Sequence, residues 1–213
     1  MGSTSAGAAP FVPKTISLTT LRKSAASCRG CPLYLSATQT VFGEGNSRAR
    51  IVLVGEAPGD QEDQKGHPFI GPAGQFLSKC LANAGISEKD IYVTNAVKHF
   101  KFIQKGKRRL HQKPSVREIS ACRPWLEQEL EIIHPNVLIC LGTTAARAVI
   151  GKTIPVTRHH GQKFSISWCA NTMVTFHPSA ALRAPTEEGR SRTKAIILHD
   201  FKIAARWLHE SVE

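Results

Sequence analysis

A chain of 213 residues, 41% of them apolar, can bury a full core in one domain, and no apolar run in it approaches the length needed to cross a bilayer. Lysine and arginine outnumber aspartate and glutamate 28 to 16, a net charge of +12 that favours a polyanionic partner, nucleic acid first. No internal repeat is found, which excludes a solenoid.

Residues 1–17 are small, polar and interrupted by proline, with neither the basic start nor the apolar run of a secretory signal. They predict a flexible N-terminal tail ahead of a single domain over 18–213, in a cytoplasmic protein. Disulfides are rare in that setting, so the six cysteines need metal binding, redox work or packing to explain them. Cys28 and Cys31 form a ligand-like pair in CRGC. Cys80 shares an apolar helix face with Leu77, Leu81 and Ala84, Cys140 lies inside VLICLG, and Cys169 precedes a strand, so these three read as packing. Cys122, on a face with Leu126 and Leu130, reads by itself as a core cysteine.

Further along, a strand over Arg50–Glu56 is followed by a helix over Gly74–Ala84 and a second strand over Ile91–Val97. Lys98 to Arg117 then carry eight basic residues and no acidic one, either a solvated basic loop or a phosphate-binding face. A helix over Val116–Ile133, a strand over Val137–Gly142, a helix over Thr143–Ile150, a strand over Thr172–His177 and a helix over Arg192–His209 complete the pattern. Such alternation predicts an α/β fold, a three-layer α/β/α sandwich around a central, mainly parallel four-stranded sheet.

Ligands of open parallel sheets bind beyond the carboxyl ends of the strands. Those ends read GEAPGD (Gly55–Asp60), TNAVKH (Thr94–His99), GTTA (Gly142–Ala145) and HPS (His177–Ser179), which brings a carboxylate, an amide and an imidazole to one rim. Singly, Glu56 could be a surface acid, Asn95 a turn former and His177 a rim histidine. Their correspondence on successive strands favours a site.

The segments GEAPGDQEDQKGHPFIGPAG (Gly55–Gly74), VTNAVK (Val93–Lys98) and FHPS (Phe176–Ser179), with CRGC (Cys28–Cys31), resemble the motifs of family 4 uracil-DNA glycosylases over roughly residues 28–208. Within that family the chain looks like the UdgX type. FKFIQKGKRRLHQKPS (Phe100–Ser115) resembles the basic insertion of those proteins, and His99 stands where ordinary members have cysteine. Ala57 departs from the UdgX type, which has glutamine there, and matches ordinary members.

The resemblance implies a uracil-DNA glycosylase acting on uracil-containing DNA, with single-stranded DNA preferred; the sequence shows no heptad or large exposed apolar stripe, so a monomer without membrane contact is expected. Asn95 would read the uracil edge with one donor and one acceptor, and Phe69 would stack on the ring, although without the resemblance Phe69 reads as a core aromatic. Gly55, Ala57, Arg109 and Ser179 would complete the substrate wall. His177 would donate to the departing base, a contribution of about a hundredfold to a thousandfold, and Glu56 would support the cationic sugar. Asp60 joins the catalytic set, or with Asp63 only structures its loop. Lys107, Arg108 and Arg183 would bind DNA, and Leu182 would be either a wedge or an ordinary loop leucine.

His111 is the candidate nucleophile that captures the sugar in place of water; its alternative is phosphate binding beside Arg108 and Arg109. Cys28, Cys31, His99 and Cys122 would hold a [4Fe–4S] cluster, with zinc as the alternative for a Cys₃His set.

Overall fold

The computed structural model describes residues 7–210. In chain order these form α1 (Leu18–Ala25), β1 (Glu44–Gly45), β2 (Ile51–Gly55), α2 (Asp60–Lys65), α3 (Pro72–Asn83), β3 (Ile91–Asn95), β4 (Phe102–Lys105), β5 (Arg108–His111) and α4 (Val116–Ile133). There follow β6 (Val137–Leu141), α5 (Thr143–Ile150), α6 (Val156–His159), β7 (Lys163–Ile166), β8 (Cys169–Thr175), α7 (Pro178–Arg183) and α8 (Glu187–Glu210).

The four expected strands are β2, β3, β6 and β8, and they pair parallel in the order β3-β2-β6-β8. The sheet is larger than the four strands expected. β1 pairs antiparallel with β3 and β7 antiparallel with β8, making six. Both additions are short edge strands: β1 carries no apolar residue, whereas β7 alternates, with Phe164 and Ile166 packed against the core.

β2 and β6 are buried at every position, as strands covered on both faces must be. Alternate residues serve opposite layers. Val52, Val54, Leu138 and Cys140 pack with α1, α4 and α5, whereas Ile51, Leu53, Ile139 and Leu141 pack with α3 and α8. The result is the three-layer sandwich. A capping box between Ser115 and Glu118 starts α4, and Pro72 occupies the first turn of α3. Among the described residues no helix is long and apolar enough to cross a membrane.

Within the tail expected over 1–17, residues 8–12 dock on the core, Ile16 stands exposed, and residues 1–6 lie outside the described residues. Ala8 is 1% exposed and its N–H donates to the Ala121 carbonyl at 2.7 Å. Phe11 and Val12 then pack against the α1/α4 side of the core. Three apolar side chains in a polar stretch are enough to dock it.

The basic insertion forms a β-hairpin. Phe102 faces His111 and Gln104 faces Arg109 across β4 and β5, and Gly106 turns the chain at φ 58°. Strand alternation sets Arg109 and His111 half-buried and leaves Arg108 and Leu110 exposed.

Candidate active site

The carboxyl ends of β2, β3, β6 and β8 open into a cavity of about 560 Å³. Its wall includes Glu56, Ala57, Asp60, Phe69, Asn95, His111, Gly142, His177, Ser179 and Arg183. Ten residues from five separate segments of sequence therefore share one surface.

Asn95 is buried, 4% exposed, and lines the cavity. Gly55 makes room for it: a Cβ there would stand 2.3 Å from Asn95 Oδ1 and 2.6 Å from Phe69 Cζ. Phe69 adopts φ 56°, a left-handed backbone that bulky residues rarely accept. Its carbonyl approaches so close to Gly74 that a Cβ on that residue would lie 1.5 Å away, which accounts for glycine in GPAG. The Phe69 ring stacks on the His177 ring at 6.4 Å.

His177 precedes α7 and is oriented from behind. Its Nδ1 accepts the Ser179 N–H at 3.1 Å and lies 2.8 Å from the Ser179 hydroxyl. A neutral ring then carries its proton on Nε2. Burial, with Arg183 and His111 adding to it, pushes the imidazole down to about 4, so at neutral pH His177 is an uncharged N–H donor.

Glu56, at the end of β2, accepts a hydrogen bond from the Thr144 hydroxyl through Oε2. Its Oε1 lies 3.8 Å from His111 Nε2. Burial lowers the pKa of His111; the Glu56 charge opposes that shift and Arg183 reinforces it. Phe100 packs against the His111 ring at 5.9 Å.

Arg109 does not face the cavity. Its guanidinium binds Asp60 through Nε and Asp63 and Thr38 through Nη1, and it lies over the Phe100 and Phe102 rings. It thus fastens the hairpin to α2, which departs from the substrate contact expected of it. Asp60 is engaged on both oxygens, by Arg109 and by Gln64 Nε2 at 2.8 Å, so the structuring alternative for Asp60 describes its contacts better than a catalytic one. Lys107 and Arg108 stand exposed around a second groove with Gln64 and Gln104, and Leu182 is 38% exposed, next in sequence to Arg183, which lines the cavity.

Cys28, Cys31 and Cys122 are all buried and close enough to influence one another electrostatically. Burial raises the Cys31 thiol and pushes Cys122 up to about 12. Their sulfurs nevertheless receive N–H donors: Trp125 Nε1 and the Gly30 N–H on Cys28, and the Lys98 N–H on Cys122. Such donors stabilise metal-bound thiolate. His99 is buried with Nε2 3.0 Å from Thr40 Oγ1. Because the Thr40 hydroxyl proton is donated to Ala25 O, His99 Nε2 must be the donor to Thr40, which leaves its Nδ1 lone pair for a ligand role. Among the described residues no three His, Cys, Asp or Glu side chains are gathered tightly enough for a single metal ion. Cys80, Cys140 and Cys169 are buried and free of disulfides.

Sequence reasoning missed three contributors. Thr144 appeared only as a letter of GTTA. Lys98 and Glu129 form a buried ion pair beneath the site, with Glu129 also accepting from Tyr92 and Thr94 and Lys98 donating to the Asn95 carbonyl. Lys98 follows the VTNAV motif and so carried a weak signal; Glu129 sits in an amphipathic helix and carried none.

Fold and rim together define an α/β protein that binds its ligand where the parallel strands end. The chain belongs to the uracil DNA glycosylase superfamily, whose family model matches residues 42–202. It is 38% identical over 184 residues to a type-4 uracil-DNA glycosylase of Thermotoga maritima, covering 85% of this chain and 89% of the relative. A type-4 uracil-DNA glycosylase of Archaeoglobus fulgidus is 37% identical over 80% of this chain and 86% of its own. A type-5 uracil-DNA glycosylase of Thermus thermophilus is 30% identical over 76% of each chain.

Proposed function

We propose that this protein is a uracil-DNA glycosylase that excises uracil and then captures the exposed deoxyribose through His111. The observation that carries the second half is the placement of His111 Nε2 at 3.8 Å from Glu56 Oε1, in the cavity that also holds Asn95, Phe69 and His177.

A base must leave the stack to be attacked, at a cost of about a few kcal/mol. Exposed Lys107 and Arg108 offset this through phosphates, and Leu182 is exposed where a wedge would enter. Uracil then stacks on Phe69, and the Asn95 amide meets one carbonyl and the adjacent N–H. Cytosine reverses part of that pattern and leaves buried groups unpaired. Cleavage breaks the bond between uracil N1 and the anomeric carbon, and the electron pair departs with uracil. The His177 Nε2–H donates to the anionic base, and Glu56 supports the cationic sugar.

With His111 neutral and its proton on Nδ1, the Nε2 lone pair forms a bond to the anomeric carbon. The resulting imidazolium loses the Nδ1 proton to solvent, so no oxidant or reductant is needed. Positioned beside the sugar, the imidazole has an effective concentration of ~10⁵ M or more, well above that of water. The first test is a denaturing gel of the protein mixed with a uracil-containing single-stranded oligonucleotide. A heat- and detergent-stable adduct is expected, and His111→Ser should release an abasic product instead. A wild-type protein that yields only free abasic DNA is the ordinary multiple-turnover enzyme, the reading that the type-4 relatives favour.

Cys28, Cys31, Cys122 and His99 fit a [4Fe–4S] cluster, which when bound would cross-link the N-terminal segment to both flanks of the hairpin. A brown solution absorbing near ~400 nm is expected. Colourless protein containing zinc would overturn the cluster.

A further inference from the structure

Glu56 has three rotatable bonds and a terminus that could swing across the cavity. Among the described residues, the hydrogen bond that holds it comes from Thr144, in the first turn of α5. Thr144 is 3% exposed, and its hydroxyl donates to Oε2, so the second oxygen is the one nearer His111. The two carboxylate oxygens are thereby made unequal. One is fixed to the scaffold, and the other faces the nucleophile and the path of the sugar. Neighbouring Gly142 and Thr143 line the same cavity, so α5 begins as part of its wall.

We infer that Thr144 is a positioning residue for Glu56, holding the carboxylate in the one rotamer that places its charge beside the sugar cation. This deepens the reading of Glu56 given above and rests on it. A buried threonine hydroxyl must find an acceptor somewhere, so a purely structural role would be satisfied by any nearby carbonyl. Here the acceptor is the carboxylate that lies 3.8 Å from His111 Nε2, and the two partners come from segments 88 residues apart. A hydrogen bond to an ionised group contributes more than one between neutral groups, and its loss should register mainly when the cationic sugar develops.

The experiment compares Thr144→Val, Thr144→Ser and Glu56→Gln with the wild type, using a uracil-containing single-stranded oligonucleotide under single-turnover conditions. Thr144→Val should slow excision by about ten- to a hundredfold. Its affinity for the oligonucleotide and its melting temperature should match the wild type, and Thr144→Ser should recover most of the rate. Should the valine variant not fold, Thr144→Ala gives the same comparison. A wild-type rate in Thr144→Val or Thr144→Ala overturns the inference, as does a serine variant as slow as valine. Glu56→Gln separates the two levels. If it excises at the wild-type rate, the role of Glu56 is wrong; if it is slow while Thr144→Val is fast, only the positioning by Thr144 is wrong.

Discussion

Gly55→Ala tests the base-reading surface that Asn95 and Phe69 form together. The new methyl group would stand 2.3 Å from Asn95 Oδ1 and 2.6 Å from Phe69 Cζ, against an ordinary contact of roughly 3.5 Å. The amide must therefore retreat by about 1 Å. Gly55 does not occupy the left-handed region, so alanine adds no backbone strain and the effect is steric. A displacement of that size at a reacting centre costs ~100-fold, or about 2.7 kcal/mol of transition-state stabilisation. The assay is single-turnover release of uracil from a single-stranded oligonucleotide, with thermal melting as the control for folding. A folded Gly55→Ala protein that excises at the wild-type rate would refute recognition by this carboxamide.

Two further outcomes follow from buried charge. His177 titrates at about 4 in the fold against an ordinary 6.5, so between those pH values the unfolded chain binds a proton that the folded one refuses. Stability should fall with falling pH through that window by about 3 kcal/mol, a slope that His177→Asn removes in urea titrations at pH 7 and pH 4.5. Lys98→Met strands the Glu129 carboxylate in the core and should cost about 3–5 kcal/mol, whereas Lys98→Met with Glu129→Leu should recover much of it. A single variant as stable as the wild type in denaturant would show that the pair is dispensable.

The four parallel strands were legible because burial on both faces demands unbroken apolar runs such as IVLVG and VLICL. β1 and β7 were not: β1 is two residues without an apolar side chain, and the alternation of β7 spans only four residues, Lys163–Ile166. Glu56, Asn95 and His177 were legible from strand ends, and they share a cavity with His111, which only the family resemblance had pointed to. Arg109 was misplaced because a basic run says nothing about which of its members finds acids: the pairing of β4 with β5 turns Arg109 inward onto Asp60 and Asp63 and leaves Arg108 outside. Thr144, 88 residues from the carboxylate it holds, had no local signature.

The clasp made by Arg109 belongs to a wider pattern in the acidic loop after β2. Asp60 and Asp63 are matched by the guanidinium, Asp63 also takes the Thr38 N–H, and Glu62 takes the Gly71 N–H. Asp60 and Asp63 are thus matched by a cation, whereas Glu56 and Glu62 receive only neutral donors, from the Thr144 hydroxyl and the Gly71 N–H, and both line the cavity. In the proposed reaction an anionic leaving group would then emerge past an acid-rich segment with less repulsion than four bare carboxylates would impose, while Glu56 would still place negative charge near the sugar.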